Sequence, residues 1–181
     1  MYGVTKVFNE NLGAYYHKKF GVDFRCLRYP GVVSSEKYAF NGTVSYATEI
    51  YFEALENGHY THYLKPDTPA PLIYMDECLD ATLQLIDAER SQLKRCVYNL
   101  AGLRMTPQLL QDEVEKLIPG TTFSVEVDPL RQSIAEGWPN SLDDSTNSEW
   151  GWKHDVSVAD FAKKILVNID EKTKSLRKLN I

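Results

Sequence analysis

The chain has 181 residues, 43% of them hydrophobic and 25% charged, with a formal net charge of -5. That length fits one domain, or one with a small extension. The balance excludes a disordered chain, a collagen and a coiled coil, and the interspersed charges give no positive field for nucleic acid. No apolar run approaches the roughly 18 residues that a transmembrane helix needs, and none of these 181 residues reads as a secretory or transit segment. Cys26, Cys78 and Cys96 are too few and too scattered for a disulfide framework or a zinc site, and read as buried free thiols. His17, His59, His62 and His154 share no metal-ligand spacing and read as surface or packing residues.

Val4, Val7, Phe8, Leu12, Tyr15 and Tyr16 recur at steps of three and four. That predicts an amphipathic helix over residues 2–20, stopped by Gly21. Val22 to Val33 reads as one buried strand ending in Tyr29-Pro30-Gly31, so the chain opens with the αβ half of a parallel unit. Ser34 to Gly42 is a polar loop. Thr43 is placed to cap a second helix running to Asn57, closed by Gly58, with Tyr46, Ala47, Ile50, Tyr51 and Leu55 inward. Tyr60 to Leu64 reads as a short strand, and the prolines from Pro66 to Pro71 as irregular chain. Leu72 to Met75 is a short apolar strand. Asp76 then caps a helix to about Ala88, with Ala81, Leu85 and Ile86 on its apolar face.

Val97 to Ala101 is another strand, closed by Gly102. Thr106-Pro107 opens a helix whose Leu109, Leu110, Val114 and Leu117 turn inward. Phe123 to Val127 alternates as a strand, and Asp128 to Asp144 reads as irregular. A short helix is expected near Ser145 to Trp150, and a final one over Val158 to Leu176 with a basic end. The sum is a mixed α/β chain, one layer short of a freestanding doubly wound fold.

Tyr2-x-x-x-Lys6 puts a phenol and an ammonium on one helix face. A cation beside a phenol favours its ionised form, as a general acid/base requires. Alone the spacing means little. Eleven tyrosines and about 13 lysines give one such pair by chance, and Tyr15 with Lys19 is a second. The surrounding residues carry more. Tyr15-Tyr16-His17, Gly21-Val22-Asp23-Phe24-Arg25 and Leu27-Arg28-Tyr29-Pro30-Gly31 follow in order. Further on stand Tyr63-Leu64-Lys65-Pro66-Asp67-Thr68, Tyr74-Met75-Asp76-Glu77-Cys78-Leu79, Val127-Asp128-Pro129, Trp138-Pro139, Asp143-Asp144-Ser145 and Trp150-Gly151-Trp152-Lys153-His154-Asp155. Over residues 2 to about 165 the chain resembles the extended short-chain dehydrogenases/reductases, and among them the short-chain L-threonine 3-dehydrogenases.

The resemblance implies an incomplete NAD-binding Rossmann-like fold. Residues 1–42 would be the end of its sheet with the Tyr-x-x-x-Lys helix, and residues 43–181 mainly a small α/β substrate lobe with returning sheet elements. It implies NAD as cofactor, L-threonine as substrate, a homodimer in the complete protein, and neither nucleic acid, membrane nor metal. Tyr2 resembles the catalytic tyrosine and Lys6 the lysine that holds the nicotinamide ribose. Tyr29 and Val32 resemble the loop beside the nicotinamide. Thr43 and Ser45 resemble part of the amino-acid pocket, with Tyr2 reaching it and Trp138 as a lid residue. Trp150 and Trp152 are expected in the core, and Asp76 as a helix cap. The family's location implies mitochondria in an animal and cytoplasm in a bacterium.

Two departures stand out. The family usually has Thr-Thr-Asp where this chain has Thr43-Val44-Ser45. A carboxylate able to pair with a substrate ammonium is replaced by a hydroxyl, and ionic contacts are the stronger kind. The second is the missing G-x-G-x-x-G, which in this family precedes the Tyr-x-x-x-Lys along with the acidic ribose-binding residue and the catalytic Ser/Thr. The chain alone is therefore expected to be inactive and poorly stable. A related epimerase or reductase, or a non-catalytic paralogue that pairs with a partner, remain the alternatives.

Overall fold

The computed structural model of the chain describes residues 1–37 and 42–178, with side chains described as far as residue 170 at the C-terminal end. Helix α1 (Tyr2–Phe20) ends at Gly21, whose φ of 71° is left-handed backbone that suits glycine. The expected one-sided helix is not found. No α1 residue is buried, and at 3.6 residues per turn its apolar side chains spread over an arc of about 220°. It rests on the body through its more polar side. Arg28 forks onto Glu10 at 2.8 and 2.6 Å. The Phe24 ring lies against Gly13 where a Cβ would have no room. Arg90 donates to His17 Nε2 at 2.8 Å, so His17 Nδ1–H donates to the Val22 carbonyl at 2.7 Å.

The expected single strand from Val22 to Val33 is two strands, β1 (Cys26–Arg28) and β2 (Gly31–Val33). Proline at position 30 has no N–H for a ladder, and the chain changes partner there. β1 pairs in parallel with β5 (Val97–Asn99), and β2 in parallel with β4 (Ala70–Tyr74). β4 also pairs antiparallel with β6 (Leu103–Met105). β3 (His59–His62) and β7 (Thr122–Val125) form a separate parallel pair. Ala70 and Pro71 thus belong to a strand, against expectation. Their pairing to β2 starts only at Leu72, and proline is tolerated near a strand's start. Strand β6 is also unexpected. Gly102 leads into it and passes so close to β4 that a Cβ would overlap the Leu72 carbonyl.

Helix α2 (Tyr46–Asn57) begins three residues after the expected Thr43 cap. Ser45 takes the cap position, and Gly58 ends the helix at φ 64°. Leu55 faces solvent, while Phe52 and Ala54 take its place inside. Helix α3 (Met75–Asp87) starts directly from β4, with Tyr74 as its cap. Asp76 stands in the first turn, where a negative charge suits the helix dipole, 3.4 Å from Lys164. Ile86 points outward. The far end of α3 is capped by Arg25, whose Nη1 donates to the carbonyls of Leu85, Ile86 and Ala88.

Helix α4 (Pro107–Leu117) has the expected Thr106 cap, accepting from Leu109 N at 3.2 Å, though Leu109 itself is exposed. The segment read as irregular contains α5 (Pro129–Glu136). Asp128 caps it by accepting from the N–H groups of Leu130 and Arg131. A short 3-10 turn spans Ser145–Glu149, and α6 runs Val158–Lys178. The basic side chains at its end, and residues 38–41 of the Ser34–Gly42 loop, lie outside the described residues.

Two apolar cores result. The larger joins Tyr46, Ile50 and Tyr51 of α2, Leu72 of β4, Leu110 and Val114 of α4, and Phe161 and Ile165 of α6. The smaller joins Ile73 of β4, Ala81 and Leu85 of α3, Tyr98, Leu100 and Trp150, with Trp152 stacked on Trp150. Each full burial of a Leu, Ile or Phe side chain contributes about 1.5–3 kcal/mol. Cys78 is buried, whereas Cys26 and Cys96 are only half-buried, and all three are free thiols.

Candidate functional site

Tyr2 and Lys6 lie one helical turn apart at the start of α1. The Lys6 Nζ stands 5.0 Å from the Tyr2 ring centroid, over its face, an attraction between a cation and the negative ring face. Tyr2 is 77% exposed.

Two hollows meet at this tyrosine. The first, about 630 Å³, runs between α1 and β1, with Tyr2, Lys6, Asn9, Glu10, Arg28, Tyr29, Pro30 and Val32 among its lining residues. Its wall mixes the charged Lys6, Glu10, Arg25 and Arg28 with apolar Phe24, Leu27, Pro30 and Val32. The Arg28 guanidinium holds the Glu10 carboxyl below the ordinary carboxylate range, and burial pushes the Cys26 thiol up. The second, about 440 Å³, is lined by Tyr2, Tyr29, Pro30, Gly31, Val44, Ala70, Pro71, Trp138, Pro139 and Leu142. Apart from the two tyrosine hydroxyls and the Trp138 indole N–H its described side chains are apolar, and the Tyr29 hydroxyl is bonded to Thr82 Oγ1 at 2.9 Å. Tyr2, Tyr29 and Pro30 belong to both hollows. A phenol on that border can exchange a proton with a molecule in the second hollow while a cofactor occupies the first.

Tyr2, Lys6, Tyr29 and Val32 are therefore brought together, and Trp138 shares the lining of the second hollow with Tyr2. Trp138 follows α5 directly, its N–H bonded to the Ala135 carbonyl. Buried Gln132 ties that helix to the turn at residues 65–68, accepting from Lys65 N at 2.9 Å and donating to Thr68 Oγ1 at 3.0 Å. Thr43 and Ser45 line neither hollow. Ser45 Oγ accepts from Gly42 N at 3.0 Å, and the Thr43 and Gly42 carbonyls accept from the Tyr63 hydroxyl. Val44 between them faces the second hollow, and sequence reasoning passed it over. Its one signal was an apolar residue between two hydroxyl residues in a turn.

The histidines take part in other contacts. His59 bonds Thr122 and Ser124, buried His62 bonds Gln111, and His154 faces Glu77 at 3.4 Å. Among the described residues no group of three His, Cys, Asp or Glu side chains could hold a metal ion. No described helix is long and apolar enough to cross a membrane. The first hollow fits the ribose and nicotinamide part of a dinucleotide, since Lys6 and Tyr2 offer donors and Val32 offers backbone beside Pro30.

The sequence profile of the NAD dependent epimerase/dehydratase family matches residues 1–101. The mitochondrial L-threonine 3-dehydrogenase of Bos taurus is 43% identical over 167 residues, 92% of this chain and 45% of that protein. An uncharacterized epimerase/dehydratase of Staphylococcus haemolyticus is 42% identical over 174 residues, 95% of this chain and 55% of that protein. The crystal structure of L-threonine dehydrogenase from Phytophthora infestans superposes with a TM-score of 0.88 at 44% identity, covering 94% of this chain and 56% of that one. The chain thus shares the Rossmann-like α/β architecture of these enzymes and spans about half the length of the curated relatives it matches.

Proposed function

The chain belongs to the NAD dependent epimerase/dehydratase family, and from that premise we propose that it forms the catalytic and substrate-side part of an NAD-dependent L-threonine 3-dehydrogenase. The observation that carries this reading is the position of Tyr2 on the border between a hollow that holds Lys6, Glu10 and Arg28 and one with no charged lining residue described. Residues 1–42 serve the cofactor sheet, and residues 43–181 mainly the substrate lobe.

The Tyr2 oxygen takes the proton of the substrate's secondary hydroxyl. Lys6 would set its positive charge beside Tyr2 and hold a ribose hydroxyl of the cofactor, and Tyr29 and Val32 would line the place of its carboxamide. NAD, when bound, supplies the hydride acceptor. Trp138 closes the substrate side and excludes water, which strengthens the electrostatics within. Thr43 and Ser45 shape the pocket through the turn that presents Val44. The pyrophosphate requires a glycine-rich turn at a helix N-terminus, so the 181-residue chain alone is inactive. The outward apolar arc of α1 supports pairing with a second copy in the complete enzyme. The location follows the source, mitochondrial in an animal and cytoplasmic in a bacterium.

The test joins this chain to the preceding half of the Phytophthora infestans relative and follows NADH absorbance with L-threonine. Tyr2→Phe is expected to lower kcat by about 10²–10⁴-fold, the usual contribution of a positioned acid/base. Equal turnover in Tyr2→Phe and its parent would refute the assignment.

A further inference from the structure

We propose that the second hollow is a hydrocarbon pocket with Val44 as its specificity-determining residue. Its substrate class would be 2-amino-3-hydroxy acids bearing an apolar group larger than methyl. The proposal rests on the dehydrogenase reading for the acid and hydroxyl groups, and goes beyond it for the group at carbon 4.

Three observations carry it. The first is size. The hollow of about 440 Å³ lies in the range of pockets that hold drug-sized ligands, roughly 300–1,000 Å³, which is more room than a four-carbon amino acid needs. The second is chemistry. Val44 and Leu142 share the wall with Pro71, Pro139 and Trp138, and no Lys, Arg, His, Asp or Glu is among the described lining residues. Water filling that space would need two to four polar partners each. The Tyr29 hydroxyl is already bonded to Thr82, so the side-chain partners left for water are the Tyr2 phenol and the Trp138 indole N–H.

The third is the direction of the turn at residues 43–45. The Ser45 hydroxyl is tied into the turn by its bond from Gly42 N, and the backbone carbonyls of Gly42 and Thr43 accept from Tyr63. Val44 Cγ1 stands 3.6 Å from where a Gly31 Cβ would be. Leu72 Cδ2 lies nearer still, at 2.7 Å, so Gly31 lets the Leu72 side chain pack close behind the wall that Val44 shares. Threonine in place of Val44 has the same shape but sets a hydroxyl against this apolar wall.

The experiment measures binding to the 181-residue chain by ligand-observed NMR, with L-threonine and L-threo-3-phenylserine as probes. Phenylserine is expected to bind at least about tenfold more tightly, the least that a hydrocarbon difference achieves in a fitted pocket. Val44→Thr should shrink that ratio several-fold, and Trp138→Ala, which removes the facing wall, should shrink it too. Far-UV circular dichroism checks that each variant is folded. Equal affinities, or a ratio unmoved by both variants, would overturn the assignment.

NADH formation is scored separately with the chain completed by an NAD-binding half. Selective binding without NADH from either acid supports the pocket and overturns the dehydrogenase reading. Turnover of threonine without preference for phenylserine overturns the pocket and supports that reading.

Discussion

Replacing Gly102 by alanine tests the packing on which the central strand depends. A methyl at Gly102 would overlap the Leu72 carbonyl oxygen, and would lie 2.6 Å from the Leu72 carbonyl carbon and 3.1 Å from Ile73 N. These are backbone atoms of β4, which is held on one edge by β2 and on the other by β6. A side-chain tip could rotate away, but a strand bonded on both edges cannot. Overpacking costs about 1–3 kcal/mol, and a backbone clash belongs at the upper end. Alanine also restricts the unfolded chain, which offsets about 0.4–1 kcal/mol. The net expectation is a loss of about 1–2.5 kcal/mol, or a fall in Tm of about 2–10 °C for a chain of this size. Urea unfolding followed by circular dichroism should show a lower midpoint with an unchanged slope. Gly3→Ala is the control, because no atom lies within 4 Å of its Cβ position. That variant should match the parent or gain up to about 1 kcal/mol. A Gly102→Ala midpoint equal to the parent's would refute the close approach of the β5–β6 link to β4.

Thr106→Ala removes the oxygen that accepts from Leu109 N and should lower stability by about 1 kcal/mol in the same urea assay. His62 is buried, and burial lowers its pKa from 6.5. Its folded form therefore prefers the neutral ring. Above about pH 6.5 that preference has no consequence, because the unfolded ring is neutral as well. As the pH falls through 6.5 the unfolded chain gains a proton that the folded chain declines, so stability drops until the lowered folded value is reached. The slope can approach about 1.4 kcal/mol per pH unit. Urea midpoints taken from about pH 8 to pH 5 should fall more steeply for the parent than for His62→Gln, and parallel curves would remove His62 from the account.

What the sequence disclosed was mostly local. Gly21 and Gly58 mark helix ends because each adopts a positive φ, at 71° and 64°. Thr106-Pro107 marks a helix start because the cap and the fixed proline φ act within one turn. The same logic was available at Asp128-Pro129 and would have revealed α5, but the Trp138-Pro139 pair and the mixed polarity around it read as loop. The break between β1 and β2 was harder to see. The two strands pair with β5 and β4, partners about 70 and 40 residues away in sequence, and local patterning does not carry that information. Strand β6 is three residues long and exists because β4 offers it an edge.

The site divides in the same way. Helical spacing placed Tyr2 over Lys6, and the family motif placed Tyr29 and Val32 in the same hollow. Which residue of the 43–45 turn faces the second hollow depends on hydrogen bonds from Gly42 and Tyr63, one of them a residue about 20 positions on. Spacing alone cannot choose among three consecutive turn residues.

Leu72 and Ile73 are adjacent in β4, and each is fully buried in a different core. Successive side chains of a strand point to opposite faces, so this strand is a wall shared by two rooms. An opening that strips one face of β4 weakens its hold on the other. The two cores therefore gain or lose order together, and disorder that begins around Phe161 on one side reaches Trp150 on the other through two neighbouring residues.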